Sequence, residues 1–221
     1  MSILDRTSLV NTLDRFNERI LSGEGVPPGE GLEVARWIAG QQGLAGNYRG
    51  MFAPTPDDFE HGIHVYSGEV ITHASARHIM GQEAARAICL LGLQDAQVRA
   101  AYARATAWIP TVSEAHTHGT FCCGRCTPAF WRHYWVADFP DKELLLTRGL
   151  EALKAMRLGD GTWGRYPFFY TVLTLLDIDL APALAELQYA RPVMQRYLRS
   201  ARRGRFAARR KQILELALER I

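Results

Sequence analysis

Three of the four cysteines fall in one short run, Cys122-Cys123-Gly124-Arg125-Cys126, directly after His116-Thr117-His118-Gly119. Read as the opening of a helix over 124–137, the run puts Cys122 and Cys126 one turn apart on one face. Cys123 and Cys126 share the adjacent face. With His118 from the preceding loop, Cys122, Cys123 and Cys126 make a three- or four-ligand zinc set. Thiolates at a helix N-terminus are also favoured by its dipole, which lowers their pKa and makes Cys126 a candidate reactive thiol. Plain packing is the competing reading, because cysteine is among the most buried residue types.

Other strings carry chemistry of a different kind. His73-Ala74-Ser75-Ala76-Arg77-His78 opens a helix; Arg77 can hold an anionic group and His78 can serve as acid or base near neutral pH. Trp131-Arg132-His133-Tyr134-Trp135 adds a second acid–base candidate in His133. Arg165-Tyr166-Pro167-Phe168-Phe169-Tyr170 opens a further helix. Aromatic faces of Trp131, Phe169 and Tyr170 can stabilise a cation if they line a cavity; if they do not, they are core. Arg125 and Arg165 join Arg77 as candidate anion-binding groups. The segment 199–211 holds seven basic residues, Arg199, Arg202, Arg203, Arg205, Arg209, Arg210 and Lys211. That is either a solvated connection or a patch for anionic lipid head groups, a peripheral membrane contact. No string resembles a nucleic-acid-binding motif.

The elements that must position these groups are nearly all helical. Apolar spacing predicts helices over 2–21, 31–42, 74–93, 95–109, 124–137, 141–157, 166–177, 180–199 and 206–220. Pro54, Pro56 and Gly62 break the stretch 47–72, where Ile63 to Ile71 reads as a β-hairpin with Ser67-Gly68 in its turn. The expectation is one domain over 1–221, with an N-terminal helix (2–21), α-hairpin repeats over 30–200 and a C-terminal helix (206–221).

A spaced pattern recurs three times. Trp37-Ile38 leads through Gln42 to Gly46-Asn47-Tyr48. Arg104-Ala105 and Trp108-Ile109 lead to Gly119-Thr120-Phe121. Arg148-Gly149 and Ala152-Leu153 lead through Arg157 to Gly161-Thr162-Trp163. A fixed pattern of this kind marks supersecondary units that bury their faces against their neighbours. Glycine supplies the positive φ that a helix end needs, and the aromatic two residues on adds burial at the corner. The spacing resembles the QW motif of the squalene–hopene cyclase and protein prenyltransferase superfamily, with Tyr48 and Phe121 at the tryptophan place of the first two copies and Arg157 at the glutamine place of the third.

The resemblance implies an all-α fold, a partial α/α toroid of α-hairpins with one short β-hairpin insertion. It implies that 74–93, 124–137 and 166–177 are parallel inner helices whose N-termini share a rim. Three positive helix ends there favour an anion, with His73, Arg77, His78, Cys122, Arg125, Arg165 and Tyr166 nearby. The Asp-x-Asp-Asp acid of the cyclases is not found; Asp177-Ile178-Asp179 comes nearest and reads as a cap for the next helix.

At 221 residues, 48% hydrophobic and a net charge of +3, the chain fits a globular protein with a sizeable core. No signal peptide is evident, which points to the cytoplasm. Two functions of different class follow. One is a small cyclase- or transferase-type enzyme for an apolar, isoprenoid-like or anionic amphiphilic molecule, with zinc as candidate cofactor. The other is a non-catalytic α-hairpin scaffold that binds a protein or peptide on its concave face. A partial ring also invites closure by a homodimer.

Overall fold

Ser8 starts the first helix, α1 (Leu9–Leu21), its side-chain oxygen accepting from the Asn11 amide at 2.9 Å. Residues 2–7 are not helical, contrary to the apolar spacing. Asp5 instead accepts from the Thr7 amide at 3.1 Å and the Thr7 hydroxyl at 2.8 Å, a local turn that competes with helix. Asp58 secures the same helix end, accepting from the amides of Leu9 at 3.0 Å and Val10 at 3.2 Å. The computed structural model describes residues 2–92, 94–200 and 203–221, with the side chains of His73, Ser113 and Glu114 outside that set.

Among the described residues the chain is all-α apart from one short hairpin. It divides into two compact units, one of 1–66 with 70–112, the other of 67–69 with 113–221.

The first unit adds α2 (Pro28–Gly40), α3 (Pro56–His61), the antiparallel pair β1 (Ile63–His64) and β2 (Val70–Ile71), α4 (His73–Leu91), α5 (Ala96–Thr106) and a 3-10 turn, Ile109–Thr111. α2 begins earlier than its apolar pattern suggests because Pro28 fits a first helical turn. α4 packs on α1, α2 and α5, and Ala84, Ala85, Ala87 and Ile88 lose all exposure there. Polar groups are buried in the same unit. His64 Nε2 lies 3.1 Å from Asp14 Oδ2, and Arg86 donates to Asn17 Oδ1 at 3.1 Å.

The second unit holds α6 (Ser113–His118), α7 (Thr127–Val136), α8 (Lys142–Ala155), α9 (Phe168–Asp177), α10 (Ala181–Arg199) and α11 (Ala207–Glu219). α7 packs on α8 and α9, and α9 packs on α10 and α11. The hairpin tip serves this unit: Glu69 Oε1 accepts from the Tyr170 amide at 3.0 Å, and Arg210 donates to the Ser67 carbonyl at 2.8 Å. Asp179 does not cap α10, whose N-cap is Leu180 without a side-chain bond. Its carboxylate accepts from Arg220 at 3.0 Å, and Asp177 accepts from buried Arg132 at 2.7 Å.

The three repeated corners share one backbone device. Gly46, Gly119 and Gly161 have φ of 90°, 67° and 91°. Gln42 and Arg157, at the same place in the first and third copies, each form an isolated antiparallel bridge, to Phe52 and Trp163. Arg157 and the Trp163 indole both bind Glu186 of α10, at 2.8 Å each. No helix among the described residues is long and apolar enough to cross a membrane.

Candidate metal centre

The cysteine run does not open a helix. Thr127-Pro128 does, with Pro128 in the first turn of α7 and Cys126 as its N-cap. Cys122, at φ 59°, is in the left-handed region, so helical spacing is not what gathers the sulfurs. A folded loop gathers them instead. Gly119 ends α6, and a Cβ built there would sit 2.1 Å from the amide nitrogen of Gly149 in α8. The Trp131 indole donates to the Gly119 carbonyl at 2.6 Å. Phe121 is buried and stacks on Phe130 at 5.6 Å. The Thr127 hydroxyl accepts from the Phe121 amide at 3.1 Å and lies 2.9 Å from the Cys123 carbonyl. These bonds turn the chain back over the start of α7.

The donor sulfurs of Cys122, Cys123 and Cys126 all lie within 4.8 Å of one another. Cys122 and Cys123 are exposed and Cys126 is buried. Three such sulfurs can hold a metal ion. Burial pushes the Cys123 thiol up. The backbone N–H groups of Cys126 and Arg125, with the Cys126 and Cys122 side chains, more than offset that, so its pKa lies below the ordinary thiol value. The Tyr166 hydroxyl moves the other way: burial raises it, a bond from Thr127 opposes the rise, and the nearby Cys123 sulfur adds to it.

A pocket of about 210 Å³ adjoins the sulfurs, lined among others by Thr120, Cys122, Cys123, Met156, Arg165 and Tyr166. Arg165 enters it from a second loop at φ 68°. A Cβ at Gly124 would lie 2.5 Å from the Arg165 carbonyl oxygen, so the two loops are in backbone contact. Among the described residues, two of the three non-glycine residues with positive φ thus flank one pocket, a concentration that strained backbone shows at functional sites.

The other expected site residues lie elsewhere. His118 is exposed at the end of α6 and is not among the gathered donors, while its neighbour His116 lies 3.0 Å from Asp141. Trp131, His133 and Tyr170 are at most 1% exposed and belong to the core around α7 and α9. Phe169 is half-buried, edge-on to Tyr197 at 4.9 Å. Arg77 and His78 belong to the first unit. Arg77 is exposed over the Phe59 ring at 5.8 Å. His78 is enclosed, edge-on to Tyr48 at 5.0 Å, and burial with the Arg49 charge lowers its pKa to about 3. Sequence reasoning missed Thr127 and Met156. The signal for the first was Pro128, which sets the helix start after the cysteines.

Comparison of the chain with protein-family models, curated proteins and solved structures finds no match, so the likeness to the cyclase and prenyltransferase superfamily rests on the motif residues alone.

Proposed function

We propose that this protein binds a thiophilic metal ion, zinc in first place, through Cys122, Cys123 and Cys126, with the fourth coordination position open to the adjoining pocket. The observation that carries the reading is the gathering of three sulfurs within 4.8 Å of one another. Tetrahedral zinc about 2.3 Å from each thiolate separates sulfurs by roughly 3.8 Å. The observed limit of 4.8 Å is about 1 Å wider than that spacing. A structural zinc site has four protein ligands, whereas three protein ligands plus a water or substrate is the catalytic arrangement. A metal here can polarise a bound group or activate a nucleophile.

The reading is therefore a metal-dependent enzyme acting on a small molecule. The pocket, at about 210 Å³, is smaller than the roughly 300–1,000 Å³ typical of sites for drug-sized ligands. That favours a compact substrate over the isoprenoid chain implied by the repeats. A metal held by three thiolates requires reduced cysteines, which fits a reducing compartment such as the cytoplasm.

Metal analysis of protein purified without chelator tests the proposal. About one equivalent of zinc per chain is expected, lost in Cys126→Ser together with part of the thermal stability. Metal-free protein that melts at one temperature with and without chelator returns the cysteines to packing and favours the non-catalytic scaffold.

A further inference from the structure

The geometry points to the class of ligand at this site: a compact thiol that also carries a carboxylate, its sulfur on the metal's open position and its anionic end on Arg165. The inference rests on the metal reading above and adds the ligand's chemistry.

Charge makes the first part of the argument. A divalent ion with three thiolates carries a net charge of −1, and an anionic fourth ligand makes the centre more negative still. Positive charge beside the site offsets the repulsion between that centre and the ligand's anionic end. Arg132 and Arg157 of the same unit are committed to Asp177 and Glu186. Arg165 and Arg125 are exposed and make no ion pair among the described residues. Arg165 lines the pocket beside Cys122 and Cys123, and Arg125 is not among its lining residues. The close approach of Gly124 to the Arg165 backbone holds one loop against the other.

Softness makes the second part. Thiolate-rich sites select soft metals, and these take sulfur readily as a further ligand. The ligand's thiol gives its proton to solvent as its sulfur replaces water on the metal, and nothing is oxidised or reduced. Size makes the third: a pocket of about 210 Å³ holds a few-carbon molecule lying against Met156 and Tyr166.

Anaerobic cobalt(II)-loaded full-length protein tests the inference, because tetrahedral cobalt reports its ligands in its visible and sulfur-to-metal bands. Three probes are compared: 3-mercaptopropionate, 2-mercaptoethanol and propionate. The first is expected to intensify the sulfur-to-cobalt band at a concentration lower by about tenfold or more than the second, the gain of a charge-assisted bond to arginine. Propionate is expected to leave that band unchanged. In Arg165→Asn, which keeps a residue tolerant of positive φ, the advantage of 3-mercaptopropionate over 2-mercaptoethanol should disappear. Equal affinity of the two thiols for the wild-type protein, or no change in the band with either, overturns the ligand assignment while leaving the metal centre standing. Failure of cobalt to bind overturns both.

Discussion

At the scale of single residues, chemical type was legible and surroundings were not. The cysteine cluster announced itself by composition, and Arg165 by its place at the start of an aromatic helix. Trp131, Arg132 and His133 looked equally suited to a cavity wall, yet α7 is covered by both α8 and α9, and every residue from Thr127 to Tyr134 is buried. A string of aromatic and basic residues reads the same whether it faces a cavity or a core, because periodicity reports burial and not what fills the space. His78 was taken for an acid or base; its enclosure makes it a stability group instead. Its pKa of about 3 in the folded protein lies below the ordinary value of about 6.5. The unfolded chain therefore takes up the proton first. The stability is fully present above about pH 6.5 and is lost as pH falls toward about 3. Urea titrations at pH 7 and pH 5 should differ by about 2 kcal/mol from this group, and His78→Gln should flatten the difference. The same slope in both proteins would count against the assignment.

At the scale of elements, the helices and the hairpin were largely legible. The three corner glycines take the positive φ their position demands, whereas the starts at Pro28 and Thr127-Pro128 were read as 31 and 124. Those two misses trace to proline in the first helical turn, and the one at residues 2–7 to side chains bonding to nearby backbone, as at Asp5, which no apolar period encodes. Gly149 shows a long-range constraint hidden in a helix. At an exposed helical position, replacing glycine with alanine gains about 1 kcal/mol. Here a Cβ would meet the Gly119 carbonyl oxygen at 2.3 Å and the Trp131 indole nitrogen at 2.7 Å. The clash outweighs the propensity, and Gly149→Ala should destabilise the protein by roughly 2–4 kcal/mol, within the range of overpacked cores and broken buried bonds. A melting temperature at or above that of the wild type would refute the packing argument. Because Gly119 precedes the cysteine loop, the variant should also lower metal affinity.

At the scale of the whole molecule, the division into two units was not legible. The hairpin lies inside the first unit's stretch of chain, yet residues 67–69 group with the second. Nothing in a local pattern says that Glu69 will serve a helix beginning at Phe168. The bond from the Tyr170 amide to Glu69 satisfies one of the open donors at the start of α9. Gly68 admits no side chain, since a Cβ there would come within 2.2 Å of the Phe206 ring. Glu69→Ala in the full-length chain should therefore cost on the order of 1–2 kcal/mol, as the loss of a helix cap does. Hydrogen exchange should show the loss first at the N-terminal amides of α9. Unchanged protection there would show that the tip contributes nothing to that helix.

The placement of that tip also sets an order of events in time. Glu69 and Tyr170 are 101 positions apart, and Ser67 and Arg210 are 143 apart. During synthesis at about 5–20 residues per second, the tip leaves the ribosome roughly 5–20 s before the helix it caps. For that interval Ser67, Gly68 and Glu69 wait without the partners that hold them. Closing so long a loop precedes any reward from the contact, the condition under which folding is slow.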